Sequence, residues 1–103
     1  MLILPIKKKW FDMILAGEKK EEYREIKPYY DIRFGNVWPD SACWNKIHTI
    51  GFRNGYSKDS LSFLADVSLS VGTGKTEWGA EPGKKYYVLK IHEVYKEDAE
   101  CRS

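Results

Sequence analysis

The sequence predicts an α+β domain: a small, mostly antiparallel β-barrel with one or two short helices. Three observations carry that expectation. Ile6, Trp10, Phe11, Ile14 and Leu15 recur at helical spacing and make one apolar stripe. Residues 61–71 alternate: Leu61, Phe63, Ala65, Val67, Leu69 and Val71 are apolar, and only Leu64 interrupts the polar set between them. Residues 85–95 supply another strand pattern, with Tyr87, Leu89 and Ile91 opposed to Tyr86, Lys90 and His92.

The elements follow in order. Residues 2–5 read as a short strand stopped by Pro5. Residues 6–16 read as a helix, with Lys7, Lys8 and Lys9 on its first-turn polar face and Gly17 as its left-handed stop. Residues 20–25 read as a charged strand. Pro28 suits a first helical position and predicts a helical turn over 28–34. Gly35, Asn36, Pro39, Asp40 and Ser41 place a loop at 35–43. Residues 44–53 read as a strand, with His48, Ile50 and Phe52 on one side and Thr49, Gly51 and Arg53 on the other. Asn54-Gly55 signals a turn. Residues 72–84 are a Gly- and Pro-containing loop, and 96–103 a polar tail. Closing such strands into a barrel would remove exposed sheet edges. An OB-like barrel satisfies the strand count too, though its usual five-strand run lacks the early helix.

A chain of 103 residues with 43% hydrophobic and 15% aromatic residues is one domain with a real core. Charged residues make up 31%, with both signs mixed, which argues against wholesale disorder. The net charge of +2 is too small to mark nucleic-acid binding unaided. Residues 18–33 hold Lys19, Lys20, Arg24, Lys27 and Arg33 against Glu18, Glu21, Glu22, Glu25 and Asp31, so any positive surface there must come from geometry. Cys43 and Cys101 make no disulfide framework, which predicts a reducing, cytoplasmic setting. Leu2-Ile3-Leu4-Pro5 is too short for the apolar part of a signal peptide, and no apolar run approaches a membrane span.

The segment Gly17-Glu18-Lys19-Lys20-Glu21-Glu22-Tyr23-Arg24 carries the chemistry. Glu22 and Arg24 are two apart on a strand, so they share a face. With Lys19 at the helix exit, one small surface holds an ammonium, a carboxylate and a guanidinium. Arg24 offers a rigid fork for phosphate or a base edge, and Lys19 a mobile point charge. Glu22 can orient either cation or accept from a base amino group. As a plain solvated face, the same charges would form weak ion pairs of about 0.2–1 kcal/mol. Tyr23, Tyr29, Tyr30, Trp38 and Tyr56 can stack on bases, with Tyr29 and Tyr56 flanking the charged cluster. Gly72-Thr73-Gly74-Lys75-Thr76 looks like half a phosphate loop, but Leu69 stands where a Walker motif needs glycine and Pro82 prevents the following helix. It reads as a flexible loop; closure over the cleft would bring Glu77 or Glu81 as a second carboxylate. His48 and His92 lack metal-ligand spacing with either cysteine, so no metal site is expected; His48 reads as a core or rim residue.

Gly17, Lys19, Glu22 and Arg24 also fit Gly-x-Lys-x-x-Glu-x-Arg, which resembles the signature of ASCH domains, small PUA-like β-barrels. The likeness continues through Lys27-Pro28-Tyr29, Arg33, Phe52-Arg53-Asn54-Gly55-Tyr56 and the strand after Gly83, roughly residues 2–95. It implies a PUA-like domain over 1–95 whose charged cleft binds single-stranded RNA, a nucleoside or a nucleotide, as a monomer without cofactor or membrane. The binding residues it implies are Lys19, Glu22, Arg24, Arg33, Arg53, Asn54, Tyr29 and Tyr56. Some small bacterial ASCH proteins hydrolyse the amide of an acetylated cytidine. The alternative it implies is thus a metal-independent hydrolase on a modified nucleoside or RNA, with Lys19 and Glu22 catalytic. Lys19 matches the lysine of those enzymes; Glu22 stands where they carry threonine, and their distant glutamate has no placed counterpart. From another class comes a protein-interaction module using the aromatic segment 29–44.

Overall fold

A computed structural model describes residues 1–57 and 59–95. The expected tail at 96–103, with Cys101, lies outside the described residues. The chain runs β1 (Ile3–Ile6), α1 (Lys8–Leu15), β2 (Glu21–Arg24), α2 (Pro28–Gly35), β3 (His48–Asn54), β4 (Ser62–Thr73) and β5 (Lys85–Tyr95). Short 3-10 turns at Ser41–Cys43 and Thr76–Trp78 interrupt the longer loops. The strands form one curled sheet in the order β1-β3-β4-β5-β2, parallel only between β1 and β3. The fold is α+β and mostly antiparallel, as the sequence predicts.

The β4–β5 pair is the spine. Leu64 stands opposite Tyr95 and Thr73 opposite Lys85, with one register shift at Asp66/Val67. The alternation of β4 translates directly into burial. Phe63, Ala65, Val67 and Leu69 are enclosed, while Leu61 and Val71 at the ends of the run are exposed. Leu4, Ile50, Phe52, Leu89, Phe11, Ile14, Phe34 and Trp38 complete the core from the other strands and both helices.

Local differences from the sequence reading have clear causes. Pro5 does not stop β1, which continues to Ile6. β1 lies at a sheet edge, where the missing N–H of proline is tolerated. Ile6 therefore enters the core from a strand, and α1 begins at Lys8. β3 begins at His48 because residues 41–43 take the 3-10 turn, started by the Asp40 carboxylate accepting from the Ala42 N–H at 3.0 Å. The Asn54-Gly55 turn opens a longer connection from β3 to β4, with Gly55 at φ +83°. His48 is a rim residue, its ring edge-on to Trp38 at 5.4 Å.

Closure differs as well. β1 and β2 are the two edges of the sheet and are not hydrogen-bonded to each other as strands. A guanidinium spans the gap instead: Arg24 of β2 donates to the Pro5 carbonyl of β1 at 3.0 Å. The sheet is a half-barrel whose seam holds side chains.

Candidate functional site

The seam is built by the way α1 ends. The Gly17 N–H bonds the Ile14 carbonyl at 3.1 Å and the Glu18 N–H bonds the Met13 carbonyl at 2.9 Å, with Gly17 at φ +79°. This double bond pattern is the Schellman stop, which needs a residue that tolerates positive φ. The chain reverses there. Lys19 is turned inward, and β2 begins two residues later along β5, with Glu22 opposite Leu89 and Arg24 opposite Tyr87.

Lys19, Glu22 and Arg24 converge, as their spacing predicts. One Glu22 carboxylate oxygen lies 3.2 Å from the Lys19 ammonium, and the other accepts from Arg24 at 2.6 Å. Arg24 donates further to Pro5 O and to the Tyr30 hydroxyl at 3.3 Å. Lys19 is not the mobile cleft charge that the sequence suggests. It is 1% exposed, donates to the Trp78 carbonyl at 2.6 Å, and lies 4.6 Å from the Trp10 ring centre. Glu22 is buried too, at 6%. Such charges persist inside a protein only when paired and hydrogen-bonded, and here each is.

Burial pushes the Lys19 pKa below the ordinary lysine value, although the Glu22 carboxylate pulls it back up. Burial also acts to lower Arg24, but Glu22 and the Tyr30 hydroxyl hold it above the ordinary arginine value. Tyr23 is pushed up by burial, then by its bond to Glu21. Its hydroxyl donates to Glu21 at 2.7 Å and accepts from the Lys75 N–H at 2.9 Å.

That last bond corrects the reading of 72–84 as a flexible loop. Gly74 packs flat on Tyr23, so close that a Cβ there would sit 2.6 Å from the ring. Gly79, at φ +101°, faces the Trp10 indole. Trp78 is buried and its carbonyl caps Lys19. The glycines serve close packing, and the phosphate-loop likeness is incidental. Among the described residues, neither Glu77 nor Glu81 is ion-paired to the charged cluster; Glu81 lies 4.0 Å from Lys84.

Outside the buried triad lies an open cleft of about 440 Å³ between β1 and α2. Its polar walls are Arg24, Lys27 and Arg33, its aromatic walls Tyr29, Tyr30 and Tyr56, and among the described residues no carboxylate lines it. Arg33 stacks on Tyr29 with its guanidinium 3.9 Å from the ring centre. Tyr29 is 52% exposed and Tyr56 is 87% exposed. Tyr30 is committed to packing, stacked on Phe34 at 5.6 Å, and Trp38 is in the core. Four of the expected residues, Arg24, Arg33, Tyr29 and Tyr56, thus share one cleft, while Lys19 and Glu22 stand behind it.

Arg53 and Asn54 do not join them. They stand opposite Pro5 and Ile6 at the end of β3, and neither lines this cleft. Sequence reasoning assigned no site role to Lys27, to Trp10, or to the carbonyls of Pro5 and Trp78. Lys27 lies in a run of mixed charge, where no single lysine stands out. Trp10 belonged to a helical stripe, and backbone carbonyls have no residue-type signal. Among the described residues, no three His, Cys, Asp or Glu side chains cluster as metal ligands. No described helix is long and apolar enough to cross a membrane. Comparison with family models, with curated proteins and with solved structures found no match to this chain.

Proposed function

We propose that the cleft between β1 and α2 binds a nucleotide unit, free or within single-stranded RNA. The carrying observation is its wall: three cations and the exposed rings of Tyr29 and Tyr56, with no carboxylate among the described residues, around about 440 Å³. Clefts of this size hold small ligands. Exposed rings favour unpaired bases, and the cations favour phosphate. The motif residues and the curled sheet support an ASCH, PUA-like domain, and we take the chain as a cytoplasmic monomer of that type. Lys19 is given a positioning role, because an enclosed ammonium bonded to Trp78 and Glu22 has no surface to offer a substrate. The hydrolase alternative asks that ammonium to reach the reacting atoms.

The test is a titration of the full chain with a short single-stranded RNA, nucleoside monophosphates and a DNA duplex, read by NMR. RNA and mononucleotides should perturb Tyr29, Arg33 and Tyr56. Arg33→Ala should weaken binding at unchanged thermal stability. Tight duplex binding, or no nucleic ligand bound at millimolar concentration, would overturn the proposal.

A further inference from the structure

The cleft continues past β1. A second depression of about 330 Å³ adjoins it, and the two share Pro5, Arg24 and Tyr56 as a common wall. The lobes differ in charge. Among the described residues, the charged groups of the α2 lobe are all cations. The second has the rings of Trp10 and Tyr23, Lys7 at its rim, and Glu22 as its single acid among the described residues. Glu22 is held from both ends, by Lys19 at 3.2 Å and Arg24 at 2.6 Å, so its carboxylate cannot rotate. Each carboxylate oxygen carries two lone pairs, so both keep acceptor capacity. Arg24 uses three of its five N–H donors on Tyr30, Pro5 and Glu22, and lines both lobes.

Resting on the nucleotide reading above, we propose that the two lobes form one bipartite site that selects bases bearing an exocyclic amino group. The phosphate lies against Lys27 and Arg33. The base enters the second lobe and donates its amino hydrogen to Glu22. The sugar passes the shared wall between Arg24 and Tyr56. A base with a carbonyl at the same position brings an acceptor against a fixed acceptor, leaving both unpaired in a partly buried site. Cytosine is therefore preferred over uracil, and adenine over hypoxanthine.

The experiment uses the unaltered full chain, because replacing Glu22 would disturb the buried triad. CMP, UMP, AMP, IMP, cytidine and inorganic phosphate are titrated separately and followed by NMR. CMP should bind at least about fivefold more tightly than UMP, and AMP than IMP. Phosphate should perturb Lys27 and Arg33 alone, while CMP should also move the Trp10 indole N–H and Tyr23. A preference below about fivefold, or nucleotide binding that leaves Trp10 and Tyr23 unmoved, overturns the bipartite site and leaves the proposed function standing. Absence of binding by every nucleotide overturns both.

Discussion

Replacing Lys19 by methionine keeps most of the side-chain volume and removes the ammonium. The Trp78 carbonyl then loses a donor at 2.6 Å, and Glu22 loses one of two cationic partners while staying buried. Removing one member of a buried pair costs about 3–5 kcal/mol. Arg24 still holds Glu22 at 2.6 Å, so the lower end applies, about 3–4 kcal/mol. At roughly 4–8 °C per kcal/mol for a domain near this size, Lys19→Met should melt at least about 12 °C below wild type. Methionine keeps contact with Trp10, so the loss reports the charge network and not a cavity.

The pH dependence sharpens this. The folded pKa of Lys19 is lowered by burial from 10.5, so the unfolded chain holds more protons between the folded value and 10.5. Stability from Lys19 is therefore complete above 10.5 and lost as pH falls through the folded value. Lys19→Met has no such term. The gap between the proteins should widen as pH rises toward 10.5, by at most about 1.4 kcal/mol per pH unit. The raised tyrosines are common to both proteins and cancel. Urea unfolding followed by tryptophan fluorescence at pH 7, 9 and 10 measures it. A gap under about 1 kcal/mol at pH 7, or one that narrows with rising pH, would refute the reasoning.

Three further outcomes follow from the same geometry. Gly74→Ala puts a methyl 2.6 Å from the Tyr23 ring and 2.8 Å from Ala80; the ring is pinned by Glu21 and Lys75, so about 1–3 kcal/mol should be lost in urea melts. Tyr56→Ala removes an almost fully exposed ring, so stability should change by less than about 0.5 kcal/mol, while RNA affinity falls by about 1–3 kcal/mol in a fluorescence titration. With Arg24, Lys27 and Arg33 as the phosphate-facing cations, the slope of log affinity against log salt should be no steeper than about −2 for single-stranded RNA, and a much steeper slope would place the contact surface elsewhere.

The pattern-bearing elements were legible in the sequence because local chemistry decides them. β4 reads out in its own alternation, and the end of α1 in Gly17. The shared face of Glu22 and Arg24 follows from strand parity alone. What stayed hidden depends on contacts distant in sequence. Nothing near Lys19 says that Trp78, fifty-nine residues on, supplies its carbonyl. Pro5 reads locally as a stop, and only the sheet order shows it on an edge where it is harmless. The 72–84 loop reads as mobile from its glycines, yet those glycines are what let it lie against Tyr23 and Trp10. The family resemblance implies Arg53 at the cleft together with Tyr56. The turn at Gly55 sends only Tyr56 there.

Arg24 is where fold and candidate site cannot be separated. It lines both lobes of the groove, and it also joins the two sheet edges through Pro5 and neutralises Glu22. Arg24→Ala removes all three bonds of the guanidinium and leaves Glu22 with Lys19 alone at 3.2 Å. About 2–4 kcal/mol of stability should be lost along with ligand affinity. Arg33, stacked on an exposed tyrosine at 3.9 Å, carries no such structural duty, so Arg33→Ala should lose affinity alone. Measuring urea midpoints and RNA affinities on both variants separates the roles. An Arg24→Ala protein with the wild-type midpoint would mean that the core and α1, and not the guanidinium, hold β1 against β2. The seam would then stay closed without it, and Arg24 would be a ligand contact like Arg33.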